Sequence, residues 1–65
     1  MENITRYDFI QYDEWKAKIN EITNGKYYTK LWQGFINYYN IETNERVGYE
    51  VMMDGFYLIN NEVTT

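Results

Sequence analysis

Between Phe35 and Ile59 the chain passes through three apolar-rich runs parted by two turn-forming segments, Glu42-Thr43-Asn44 and Asp54-Gly55. Runs of this length, rich in β-branched and aromatic residues and broken by Asn, Asp and Gly, are the signature of a β-meander. Asp54-Gly55 predicts a two-residue turn whose central residues take positive φ. It sets Met53 opposite Phe56, Val51 opposite Leu58 and Tyr49 opposite Asn60. Glu42-Thr43-Asn44 predicts a three-residue loop with Asn44 in the left-handed position. That loop sets Ile41 opposite Glu45, Tyr39 opposite Val47 and Phe35 opposite Val51.

Side chains alternate along a strand, so each register assigns every residue to a face. Phe35, Tyr39, Ile41, Val47, Tyr49, Val51, Met53, Phe56 and Leu58 fall together and are expected to form the core face, with Val51 central beneath a helix. The other face carries Ile36, Tyr38, Asn40, Arg46, Gly48, Glu50, Met52, Tyr57, Ile59 and Asn61. Its apolar members, Ile36, Tyr38, Met52, Tyr57 and Ile59, are more than a solvated sheet needs, so either another element of the chain or a partner is expected to cover it.

Upstream, Asp8 and Gln11 have the spacing of a capping box, and Asp13 is a competing start. Tyr12, Trp15, Ile19 and Ile22 then recur on one helical stripe, and Asn24-Gly25 is a left-handed stop. The spacing predicts a helix over about 9–23. Residues 26–33 match a helical period through Tyr28, Leu31, Trp32 and Phe35, but Gly34 falls mid-run and no N-cap precedes them. Their β-favouring types, with Gly34 as a bend or bulge, predict a strand instead. The stretch from Met1 to Arg6 reads as a frayed start or a short edge strand, and Asn60–Thr65 as a strand end running into a polar tail. The expected architecture is a single α+β domain over 1–65: an N-terminal helix packed on a three- to four-stranded antiparallel meander, with strands at about 26–33, 34–41, 45–53 and 56–61.

Sixty-five residues make one small core, and neither Cys nor His is present to staple it through disulfides or zinc. Eight Tyr, three Phe and two Trp supply the apolar mass instead. Without Ser, His or Cys the common nucleophile–base triads cannot be assembled. Glu42, Glu45, Glu50 and Asp54 are the carboxylates available for acid–base work, but the turns already account for three of them. No calcium loop or phosphate cradle appears, so no catalytic residue, metal or cofactor is expected. The net charge of −4, with the six cations scattered, argues against direct nucleic-acid binding and suits a basic protein partner. No run reaches the roughly 20 apolar residues of a membrane span and no leader pattern opens the chain, so a cytoplasmic location is expected.

Abundant Asn, Ile, Tyr and Lys, with no Pro or Ser and one Ala, suit a low-GC genome such as that of a Gram-positive bacterium, its plasmid or its phage. In size, charge and composition the chain resembles the small inhibitors encoded by phages and mobile elements, anti-CRISPR proteins and DNA-glycosylase inhibitors among them. That resemblance implies a non-enzymatic protein that occupies a basic, nucleic-acid-binding surface of a larger host protein. The expected contact set is Ile36, Tyr38, Met52, Tyr57 and Ile59, with Glu42, Glu45, Glu50 and Asp54 around them. The alternative expectation is a structural or small-ligand-binding homo-oligomer, a homodimer for instance, joined through the same aromatic face.

Overall fold

The computed structural model describes residues 2–61. Strand β1 (Glu2–Tyr7) leads through a 3-10 turn (Phe9–Gln11) into helix α1 (Tyr12–Thr23), and β2 (Tyr27–Trp32), β3 (Phe35–Asn40), β4 (Arg46–Val51) and β5 (Gly55–Asn61) follow. All five strands form one antiparallel sheet in the order β1-β5-β4-β3-β2. The α+β architecture expected from the sequence is therefore present, with five strands where three or four were expected. The extra strand is the N-terminal one, which closes the meander by pairing Tyr7 with Phe56 and Ile4 with Ile59 along β5. Because β1 and β2 are opposite edges, α1 must carry the chain across the whole sheet. Its 12 residues rise about 18 Å, close to the roughly 19 Å spanned by four interstrand spacings.

The capping box at Asp8 opens the 3-10 turn that leads into the helix, and α1 itself begins at Tyr12, one residue before Asp13. The Asp8 N–H donates to Gln11 Oε1 at 3.0 Å, and the Gln11 N–H returns to the Asp8 carbonyl at 2.9 Å. It ends at Asn24, which is left-handed at φ 54°, followed by Gly25 at φ 75°. Trp15 and Ile19 are fully buried, and Thr23 joins them with its hydroxyl donated to the Ile19 carbonyl at 2.7 Å. Ile22, expected on that stripe, lies on the flank and is half exposed.

Three hairpins set the registers, and each differs from the sequence expectation in an instructive way. The strand expected over 26–33 is present as Tyr27–Trp32, but Gln33 and Gly34 form a two-residue turn, with φ of 46° and 83°, so Gly34 is a turn residue and not a bend within a strand. Between β3 and β4 the Asn40 N–H donates to the Glu45 carbonyl at 2.9 Å, which makes the loop one residue longer than expected, with Asn44 left-handed as predicted. A bulge at Val47 absorbs the extra residue, so Tyr38 pairs with Gly48 and Phe35 with Val51, as the shorter loop required. Between β4 and β5 the turn is Met52-Met53-Asp54, closed by the Asp54 N–H on the Val51 carbonyl at 3.0 Å, with Met53 at φ 65°. Gly55 is a strand residue opposite Val51, so Tyr49 pairs with Tyr57 and Gly48 with Leu58.

That last register is displaced by three positions from the expected one, and an odd displacement turns β5 over. Phe56 and Leu58 therefore share a face with Tyr38, Gly48 and Ile36. The core is built there, from Tyr7, Trp15, Ile19, Tyr38, Val47, Phe56 and Leu58, with Tyr27 and Ile36 packed against it. Phe35, Tyr39, Tyr49 and Val51, expected beneath the helix, lie on the opposite side. Gly48 explains the choice of side. A Cβ there would stand 2.6 Å from the Tyr57 carbonyl oxygen and 2.8 Å from Ile19 Cδ1, so the helix docks into the place of the missing side chain. The Trp15 indole N–H fixes the seat by donating to the Tyr57 carbonyl at 2.9 Å, and its ring packs edge-on to Tyr38 at 5.0 Å.

Candidate functional site

The residues expected to form one contact surface are dispersed by this register. Tyr38 is 7% exposed in the core, and Ile36 and Glu50 share its helix-side face. Ile59 is buried opposite Ile4, and Tyr57 lies on the open face. Met52 is exposed in the β4–β5 turn beside Asp54, while Glu42 and Glu45 flank the β3–β4 loop at the far end of β4. The expectation failed because it grouped β5 with the wrong alternation of β3 and β4, so true core residues were counted as free surface.

Two other surfaces come into view. The first is the open face of the sheet, where aromatic rings and cations stand in three cross-strand rows. The middle row runs Lys30, Asn37, Tyr49, Tyr57, Arg6 across all five strands. Tyr49 and Tyr57 stack at 4.8 Å, and the Arg46 guanidinium sits 4.9 Å from the Tyr49 ring centre while donating to Asn37 Oδ1 at 3.1 Å. On one side of this row Tyr28 and Tyr39 stack at 5.2 Å, with the Lys30 ammonium 5.9 and 5.6 Å from their centres. On its other side stand Trp32 and Phe35, the latter 5.7 Å from Tyr49.

At the β1 end of the row, Arg6 is a clasp. It donates to Asp8 Oδ1 at 2.5 Å and to the Asp54 carbonyl at 2.6 Å, and the Tyr57 hydroxyl donates to Asp54 Oδ2. The Tyr57 hydroxyl, and after it Arg6, holds the Asp54 carboxyl below its ordinary pKa. The same hydrogen bond holds the Tyr57 phenol up. On the helix side, Tyr27, whose ring centre lies 5.1 Å from the Lys16 ammonium, raises the pKa of that ammonium, and burial raises the Tyr38 phenol beside it.

The second surface is the end of the sheet where the β2–β3 and β4–β5 turns meet. The Met52 N–H donates to the Gly34 carbonyl at 3.3 Å, which joins the two turns directly. The 3-10 turn reaches the same end, since Phe9 packs edge-on to Phe56 at 5.8 Å, one residue beyond Gly55. Phe9, Ile10, Leu31, Trp32, Met52 and Met53 are all more than half exposed there, Ile10 at 91% and Met53 at 89%. Sequence reading missed this cluster because its members come from three separate segments. The available signal was Gln33-Gly34, a turn dipeptide between Trp32 and Phe35.

An open groove of about 730 Å³ lies where α1 leaves the β1–β5 corner uncovered, lined by Ile22, Val47, Asn3, Thr5, Asn40 and Glu45 among others. Two of its amides are already engaged, Asn60 Nδ2 with Thr5 Oγ1 and Asn40 Oδ1 with the Glu42 N–H. Among the described residues no three His, Cys, Asp or Glu side chains gather into a metal-binding group, and no helix is long and apolar enough to cross a membrane. No family model, curated protein or solved structure matches the chain.

Proposed function

We propose that this protein is a non-enzymatic binding module that acts by occupying a surface of a larger protein, with the apolar end of the sheet as its anchor. One observation carries the reading. Six large apolar side chains from three segments are held exposed at one end, on the end of β2 and on turns fixed by backbone hydrogen bonds. A solvent-adapted surface scatters such residues; gathered together they mark an interaction site, and methionines give such a site the plasticity to fit a partner. Asp13 and Glu14, in the first turn of α1 next to Ile10, add free carboxylates at the rim. This pairing of an apolar anchor with an acidic border favours a partner whose hydrophobic pocket is bordered by Lys and Arg, and inhibition of a host enzyme by masking such a surface is the biological role we assign to it.

The test is capture from a host lysate on immobilised protein, compared with the triple variant Ile10→Ser, Leu31→Ser, Met53→Ser. These positions lie outside the core, so the variant should melt normally and lose the captured partner. An unchanged captured set would remove the apolar end from the function. The same exposed cluster favours one second reading, a homodimer joined end to end, and a light-scattering mass that halves in the triple variant would select it.

A further inference from the structure

From the open sheet face we infer a second activity that nothing above assigns: it binds single-stranded nucleic acid, laid across β2, β3 and β4 past Lys30 and Arg46. The first support is where the charges lie. The chain is acidic as a whole, yet Lys30, Arg46 and Arg6 lie on this one face. Arg6 is outweighed by Asp8 and Asp54, which makes the β1 end of the face net negative, whereas among the described residues neither Lys30 nor Arg46 has a carboxylate within ion-pairing distance. Asp13, Glu14 and Glu21 belong to α1, on the far side of the sheet. A packed helix layer is about 10 Å from the sheet, near the Debye length at physiological salt, so those acids are largely screened from an anion on the open face.

The second support is the alternation of charge with aromatic surface. The two unpaired cations flank Asn37: Lys30 is its cross-strand neighbour and Arg46 its hydrogen-bond donor. Aromatic groups stand on both sides of them, Tyr28 with Tyr39 on one and Phe35 with Trp32 on the other. Tyr49 is closed on one ring face by Tyr57 and lies against the Arg46 guanidinium, so it serves to place that cation. Trp32, 63% exposed, is the ring with free area for a base. A chain that presents phosphates with unstacked bases on either side matches this order, and stacking on aromatic side chains tolerates any base sequence. A duplex hides its base faces, and an acidic peptide would use the cations but not the flanking rings.

The two tryptophans provide the assay, because Trp15 is fully buried and Trp32 is not. Oligothymidylate of about fifteen nucleotides, fluorescently labelled, is titrated in low salt while its anisotropy and the tryptophan emission are followed. The expected result is saturable binding that quenches the emission, with matched duplex DNA binding at least tenfold more weakly. Trp32→Leu should remove the quenching and weaken binding about five- to 150-fold. The pair Lys30→Gln and Arg46→Gln, which keeps a donor for Asn37, should lower the slope of log K against log salt by about 1.4, at ~0.7 per phosphate for single strands. Circular dichroism melts establish that the variants fold. Absence of binding by the folded wild type, a salt slope unmoved by the double variant, equal binding of duplex, or equal displacement by polyglutamate would each overturn the inference. The Ile10, Leu31 and Met53 variants leave this face intact, so failure of the protein-partner reading is scored separately.

Discussion

At the scale of single residues, Gly48 and Gly55 are held to glycine by space, not by φ. Gly48→Ala would push a Cβ against the Tyr57 carbonyl and Ile19 at once, and the carbonyl cannot yield without breaking the β4–β5 ladder. We expect a loss of about 1–3 kcal/mol in urea melts, as for other overpacked sites. Gly55 faces a similar obstacle at the Tyr7 carbonyl, 2.8 Å from its would-be Cβ. Met53 is the converse case, a left-handed residue at φ 65° that is almost fully exposed. Met53→Gly relieves the backbone and loses no packing, so stability should rise by about 0.5–1 kcal/mol while partner capture weakens. The clasp at Asp54 gives a pH prediction. Its carboxyl is depressed in the folded state, so its contribution is present above the ordinary aspartate pKa and is lost as pH falls through the lower folded value. Asp54→Asn should therefore flatten the acid limb of the stability–pH curve and remove Tyr57's share of the alkaline limb, leaving the shares of Lys16 and Tyr38 in place.

At the scale of elements, the β2–β3 hairpin and the helix seat are the informative units. Gln33 and Gly34 both have positive φ, the demand of a type I′ turn, where Asn is better suited than Gln at the first position. Gln33→Asn should raise the thermal midpoint by a few degrees without altering the helix, a small gain of about 0.5 kcal/mol. The helix is held by Trp15 and Ile19 on β4 and β5. Tyr38→Ala, at the centre of that contact, should cost about 3–5 kcal/mol and unfold so small a domain, which sets it apart from the exposed residues of the apolar end.

At the scale of the whole molecule, the fold separates three surfaces that the linear sequence interleaves. Asp13, Glu14 and Glu21 lie on α1, four tyrosines and three cations share the open face, and apolar side chains crown one end. The sheet itself enforces this, because alternation sends neighbours in sequence to opposite faces while the registers gather residues from distant segments. The separation also makes the surfaces experimentally independent. Charge changes on the open face should alter salt-dependent binding alone, and changes at Ile10, Leu31 and Met53 should alter partner capture or mass alone, while Trp32 stands where the two surfaces meet.

What the sequence determined by itself was local. The Asp8–Gln11 box, the Asn24-Gly25 stop, the strand character of 26–33, left-handed Asn44 and the Phe35–Val51 pairing follow from side chains a few residues apart, and all are found. The function-bearing surfaces were not legible in the same way. Asp54-Gly55 looks like a two-residue turn, but Tyr57 of β5 holds the Asp54 carboxylate, Arg6 of β1 donates to the Asp54 carbonyl, and the close approach of the Tyr7 carbonyl needs Gly55 inside β5. Those partners are 3 to 48 residues away in the chain, and most of them are brought to the turn only by the closing of β1 on β5. A register displaced by an odd number inverts a strand, so one turn decided by tertiary contacts reversed the core and the open face together.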